Sequence, residues 1–236
     1  SGAPLALWLL GAWGIVGGGL AGLYLLQRHR AMRRIGTRRA VSDPALLSML
    51  EALRRDGGIA RRVRLPSAPG IASPVALGQD EIVVPEAALS DLEVEQQRSM
   101  LAHELAHLVR RDPAWLAVAC LLERVFFLQP LNRLARLRLQ EAAEFLCDDW
   151  AVRRTGSSVS LATCLVKVAE WVHAAPQPIP LAGMAERRSQ LVERIHRLIE
   201  GRPMPRAPRT LWLSAVAVTL LGVTAVAAPG ISAART

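Results

Sequence analysis

The sequence predicts a mainly helical protein with a small antiparallel β-sheet, set between two membrane-spanning helices. Three observations predict it: two uncharged apolar runs flanked by arginines, apolar residues at helical spacing through most of the intervening chain, and one stretch of short alternating segments. Composition points the same way. Hydrophobic residues make up 51% of the chain with a mean hydropathy of +0.24, yet the net charge is +9 and the pI near 11.1. Soluble globular domains rarely combine these values, so the apolar and basic residues must be segregated along the chain.

The first apolar run, residues 4–26, carries no charge and is followed by Arg28, Arg30, Arg33, Arg34, Arg38 and Arg39. The second, residues 211–228, is preceded by Arg202, Arg206 and Arg209. At 1.5 Å per residue the runs reach about 34 and about 27 Å, enough to cross the hydrocarbon core of a bilayer. A cleaved signal peptide fits the first run poorly, because its basic residues follow the apolar stretch instead of preceding it. The positive-inside rule puts both basic flanks in the cytoplasm, and with them a domain spanning residues 27–209. The expectation is a multi-pass protein of the cell (inner) membrane. The charge reads as adhesion to a lipid surface, and few aromatic residues interleave with it, so nucleic acid is not expected as a partner.

Between the runs, Asp43 and Pro44 start a short amphipathic helix that ends before Gly57 and Gly58. From Gly58 to Pro85, alternating apolar residues at Val63 and Leu65, Val75 and Leu77, and Ile82 and Val84 predict an antiparallel sheet of about three strands. Ser90 and Glu93 fit a capping box for a helix running to about Arg110. Asp112, as N-cap before Pro113, opens a new helix continuing through Leu128. Glu123 and Arg124 interrupt its apolar run, which favours a core or membrane-skimming helix over a third span. A long helix over about Leu131–Arg154, another over Ser158–Ala174, a loop marked by Pro176, Pro178 and Pro180, and an amphipathic helix over Met184–Glu200 complete the domain.

The chemistry is concentrated at His103-Glu104-Leu105-Ala106-His107, an HExxH pattern. Residues four apart on an α-helix point nearly the same way, so His103 and His107 can share one metal ion. Imidazole is a favoured zinc donor, and Glu104 beside the first ligand can take a proton from a metal-activated water without binding the metal itself. With this composition only about 0.006 such matches are expected by chance in a chain of this length. A structural zinc site is usually closed by four protein ligands, often cysteines. Cys120, Cys147 and Cys164 have no paired spacing and read as small buried hydrophobes in a reducing compartment.

A catalytic site needs a third protein ligand and one open position. Glu144 is the candidate, on the predicted helix that also carries Asp148 one turn on, where Asp148 can accept the outer N–H of a ligand histidine and fix its tautomer. Glu141, one turn before Glu144, reads as a solvated helix face. For an oxyanion donor the sequence offers His173, His196, Arg136 and Arg138 without choosing among them. His29 falls in the basic flank, beside headgroups.

Taken together, Ser73-Pro74 with Gly78 and Ile82-Val83-Val84-Pro85, the run from His103 through Arg110 to Asp112, and Glu144 with Cys147-Asp148 resemble the BlaR/MecR-type membrane metallopeptidases of β-lactam sensing. A more distant likeness is to the membrane CAAX-prenyl and stress-response proteases. The resemblance implies a gluzincin-like peptidase facing the cytoplasm between transmembrane helices. It implies Zn2+ bound by His103, His107 and Glu144, with Glu104 as general base. It also implies further membrane helices before Ser1. No penicillin-binding domain follows the last apolar run here, so the expectation does not extend to β-lactam sensing. The function expected is cleavage of a protein or peptide, a transcriptional repressor or the chain itself, in signal transduction. The competing reading is a catalytically inactive membrane scaffold that binds a cytoplasmic partner. Nothing in the sequence fixes an oligomeric state.

Overall fold

The computed structural model describes residues 3–35, 38–174 and 184–201. The chain divides into a unit over residues 1–202 and a second over 203–236. The expected second span at residues 211–228 and the proline loop at 176–180 lie outside the described residues.

Helix α1 (Ala3–Arg34) contains one stretch, Leu5–Arg33, long and apolar enough to cross a membrane. Only 6% of its most apolar window is buried, which separates it from the core helix of a soluble protein. Strand β1 (Arg39–Ala40) follows, then α2 (Pro44–Asp56), capped as the sequence predicts: Asp43 accepts from the backbone N–H of Ala45 and Leu46. Leu46, Leu50 and Leu53 form the buried face of α2, at spacings of four and three residues.

The strand region differs from the expected single antiparallel sheet of three strands. Strand β2 (Pro66–Ser67) lies just beyond Val63 and Leu65 and pairs antiparallel with β1, a partner hidden in the basic run. Strands β3 (Val75–Leu77) and β4 (Glu81–Val83) form a separate hairpin, turning at Gly78 with φ +60°. Because that hairpin reverses the chain, β4 runs parallel to the 64–67 segment, and isolated parallel bridges join Arg64 to Glu81 and Ser67 to Val84. Among the described residues β3 pairs only with β4, which leaves its other edge open.

A short helix, α3 (Ala87–Ser90), leads to α4 (Val94–Arg110). The predicted capping box shifts by one turn: Ser90 closes α3, and Glu93 caps α4 reciprocally with Gln96. Leu101, Leu105 and Leu108 of α4 are fully buried, each contributing roughly 1.5–3 kcal/mol of hydrophobic stabilisation. The helix stops at Arg111, which takes the left-handed conformation (φ 58°) and is the cap that the sequence assigns to Asp112. Asp112 is instead the first residue of α5 (Asp112–Val125). That helix ends three residues earlier than expected, with Phe126–Leu128 forming the turn into α6 (Pro130–Thr155). Gly156 closes α6 at φ 76°, and α7 (Ser158–Ala174) and α8 (Met184–Glu200) follow with the predicted bounds.

The main core joins α2, α4, the β4 strand and the inner faces of α6 and α7. Helices α1 and α5 pack beside it, closely enough that a Cβ on Gly17 would fall 2.9 Å from the Val125 carbonyl oxygen. Gly17→Ala is therefore expected to force these helices apart and cost about 1–3 kcal/mol. Gly18 faces open space, so Gly18→Ala should be neutral or stabilising by up to about 1 kcal/mol through helix propensity. Thermal unfolding of the two variants in detergent distinguishes them.

Candidate metal centre

Helix α4 supplies the first half of the site. His103 and His107 stand one turn apart with their Nε2 atoms 3.2 Å from each other. Two neutral imidazole lone pairs at that separation repel unless a cation or proton lies between them. Helix α6 crosses α4 and brings Glu144 to the same point: its Oε2 is 3.4 Å from His103 Nε2 and its Oε1 is 3.7 Å from His107 Nε2. His103, His107 and Glu144 thus form a group that could hold a metal ion.

The spacing tests which ion fits. Two nitrogens about 2.05 Å from a tetrahedral zinc lie about 3.3 Å apart, and a nitrogen and a carboxylate oxygen about 3.4 Å apart. The observed separations match those values within a few tenths of an ångström, and two imidazoles with one carboxylate make a set of zinc-type donors.

Each imidazole is held from behind by its own aspartate. Asp148 Oδ1 lies 3.0 Å from His103 Nδ1, an ion-pair distance whose angle falls short of a regular hydrogen bond. Asp112 Oδ2 lies 2.9 Å from His107 Nδ1. The first of these is the pairing that the sequence predicts; the second has no local sequence signal. The left-handed turn at Arg111 is what folds Asp112 back onto a histidine five residues earlier. Cys147 Sγ crowds the same nitrogen at 3.3 Å and Asp112 at 3.4 Å. That second cluster of His107, Asp112 and Cys147 gathers at the outer nitrogen of His107, so it orients the ring.

Arg194 of α8 is the other residue the sequence did not single out. Its Nη1 is 2.7 Å from Glu144 Oε2, while Nε and Nη2 donate to the two oxygens of Asp148 at 2.8 and 2.7 Å. One guanidinium therefore ties together the candidate ligand from α6 and the aspartate behind His103. No local pattern on α8 marks it, because its partners lie on another helix. The donors left open by the sequence are elsewhere: Arg136 pairs with Glu123, Arg138 with Glu141, and His173 and His196 are exposed.

The electrostatics favour positive charge at the centre. Burial lowers the pKa of His103, but Asp148 and Glu144 outweigh it and push the ring up to about 10. Burial raises Glu144 and Asp148, yet Arg194 and the imidazoles hold both carboxyls below the usual carboxylate range. Four acidic side chains, Glu104, Glu144, Asp112 and Asp148, outnumber the guanidiniums of Arg28, Arg110 and Arg194 around the centre, which favours a cation there. The buried thiols are unreactive by comparison. Burial, with Glu104 nearby, pushes Cys164 up to about 12, and burial with Asp112 and Glu144 pushes Cys147 higher still.

Glu104 lines a cavity of about 240 Å³ with His103, His107, Glu144, Arg194 and Ser73-Pro74. On the other side of His107 and Glu144 lies a second cavity of about 250 Å³, bounded by Ala76, Asp112 and α1 residues Tyr24 and Arg28. Residues 73–76, leading into and along the open strand β3, thus border both flanks of the centre.

The model of one protein family, described as BlaR1 peptidase M56, matches residues 3–198. No curated protein matches the chain.

Proposed function

The chain belongs to the BlaR1 peptidase M56 family, a family of membrane-associated peptidases, and from that premise we propose that it is a zinc endopeptidase acting in signal transduction. Its substrate is a protein regulator, a transcriptional repressor or the chain itself, cut on the cytoplasmic side of the membrane. The single observation carrying the zinc assignment is the convergence of His103 Nε2, His107 Nε2 and the Glu144 carboxylate at separations that suit one tetrahedral ion.

When bound, zinc supplies Lewis-acid polarisation of the scissile carbonyl and acidifies water. The chain's own residues do the rest. Glu104, next to the first ligand and facing the cavity, takes the proton of the attacking water and returns it to the leaving amine nitrogen. Asp148 and Asp112 face the outer nitrogens of the two imidazoles, which keeps both Nε2 atoms turned toward Glu144. Arg194 donates to Glu144 Oε2 and so holds that carboxylate beside the two imidazoles, where it would complete the set of residues holding the ion. The open edge of β3 offers backbone groups to an extended peptide lying across both cavities.

The side of the membrane is read from charge: the arginines after α1 favour the cytoplasm, so residues 27–209 form the peptidase domain between the first span and a second at residues 211–228. Metal analysis of purified protein should give one zinc per chain, lost in His103→Ala and kept in Glu104→Gln. A preparation that binds no zinc and cuts nothing would leave the scaffold reading in its place, and one that cuts equally well after chelation would overturn the zinc assignment. Asp112→Ala should weaken zinc binding by about 10–100-fold, measured by chelator competition.

A further inference from the structure

We propose that the hairpin formed by α5 and the first half of α6 enters the bilayer beside α1, so that the metal centre sits at the level of the lipid headgroups. This rests on reading α1 as a membrane span and is independent of the peptidase chemistry.

Helix α5 runs antiparallel to α1: its start, Asp112, Leu116 and Cys120, shares a cavity with Tyr24 and Arg28, and its end meets Gly17 and Trp13. Arg124 stacks over the Tyr24 ring at 4.5 Å, Val125 meets Gly17, and Phe126 lies against Trp13 with ring centroids 5.7 Å apart. Trp13 precedes Arg28, the first arginine of the basic flank, by fifteen residues. That is about 22 Å along the helix, most of a hydrocarbon core about 30 Å thick. The end of the hairpin must therefore reach deep into whatever surrounds α1. Its outward residues suit lipid: Trp115, Val118, Leu122 and Phe126 form an exposed stripe at helical spacing, continued by exposed Leu128 and Leu131. This stripe is continuous with the exposed apolar surface of α1.

Most charges in the hairpin have a partner: Glu123 on α5 pairs with Arg136 on α6, Arg124 donates to the Cys120 carbonyl and stacks on Tyr24, and the more exposed Arg138 pairs with Glu141. Arg133 lies near the tip with Gln129 and Asn132, where a long stem can carry the charge toward headgroups. The base of the hairpin gives a second measure of depth. Asp112 lies fourteen residues before Phe126, and Glu144 fourteen residues after Pro130. Each distance is about 21 Å along its helix, which returns both carboxylates to the level of Arg28. Tyr24, Arg28, Asp112 and Glu144 indeed line one cavity. A scissile bond brought to that level belongs to a segment lying against the membrane surface.

The test is spin-label accessibility in the full chain reconstituted into phosphatidylcholine vesicles, in a Cys120→Ala background where Cys147 and Cys164 are buried. Nitroxides go on Val118→Cys, Leu122→Cys and Phe126→Cys, with Leu10→Cys on α1 and Arg62→Cys on the domain surface as references. The expected result is collision with oxygen exceeding collision with a water-soluble nickel chelate severalfold at Leu122 and Phe126, with depth increasing from Val118 to Phe126. Nickel access at those sites equal to that at Arg62 overturns the proposal. So does exclusion of both reagents with immobilised spectra, the sign of a covering protein surface. If Leu10 is also open to nickel, the reading of α1 fails with it; if Leu10 is in lipid and Leu122 is not, only the hairpin's immersion fails.

Discussion

Glu104→Gln is expected to lower peptide hydrolysis by roughly 10³-fold while leaving zinc bound, the range a positioned general base contributes. The side chain is 8% exposed and lines the same cavity as both imidazoles, yet it is not among the grouped donors His103, His107 and Glu144. Removing its charge should therefore affect proton transfer and spare metal binding. Turnover of a fluorogenic peptide, or self-cleavage followed on gels, should collapse in protein whose zinc content equals that of the parent. Activity within a few-fold of the parent would remove Glu104 from the mechanism, and loss of zinc would make it a structural residue of the site.

Asp148→Asn should combine a large loss of stability with weaker metal binding. Asp148 is 1% exposed, receives two charge-assisted bonds from Arg194 and faces His103 Nδ1 at 3.0 Å. Breaking a buried ion pair from one side typically costs about 3–5 kcal/mol, because the remaining charge stays buried without its partner. Loss of the carboxylate behind a ligand histidine costs a further 10–100-fold in metal affinity, roughly. Denaturant unfolding of the metal-free protein reads the first effect and chelator competition the second. Asp149, one residue on, pairs with Arg197 and stands behind neither histidine, so Asp149→Asn should leave zinc affinity unchanged. Equal behaviour of the two variants would mean that Asp148 has no special connection to the metal centre.

The elements were most legible where their signals were local. The Asp43 cap, the glycine stops at Gly57 and Gly156, and the apolar spacing of α7 and α8 appear in the fold where the sequence puts them, because caps and periodicity act within a turn or two. Fold and sequence pattern diverge where alternatives are close in energy or partners are remote. Glu93 and Ser90 can both cap, and the Glu93–Gln96 pair prevails. Strand β1 carries no strand signal of its own: Arg39 and Ala40 extend because Ser67 and Pro66 pair with them.

By itself, the sequence determined that His103 and His107 project from one helical face with Glu104 beside them, since 3.6 residues per turn fixes that relation wherever the helix lies. It also determined that residues 4–26 can cross a bilayer, because length and absence of charge decide that. Only the tertiary structure decided that Glu144 reaches the imidazole pair, that Asp112 folds back across the Arg111 turn, and that Arg194 arrives 46 residues after Asp148 to bind it. Those contacts depend on how α4, α6 and α8 pack. Packing sums many weak side-chain contacts over distant parts of the chain, so no short window of residues encodes it.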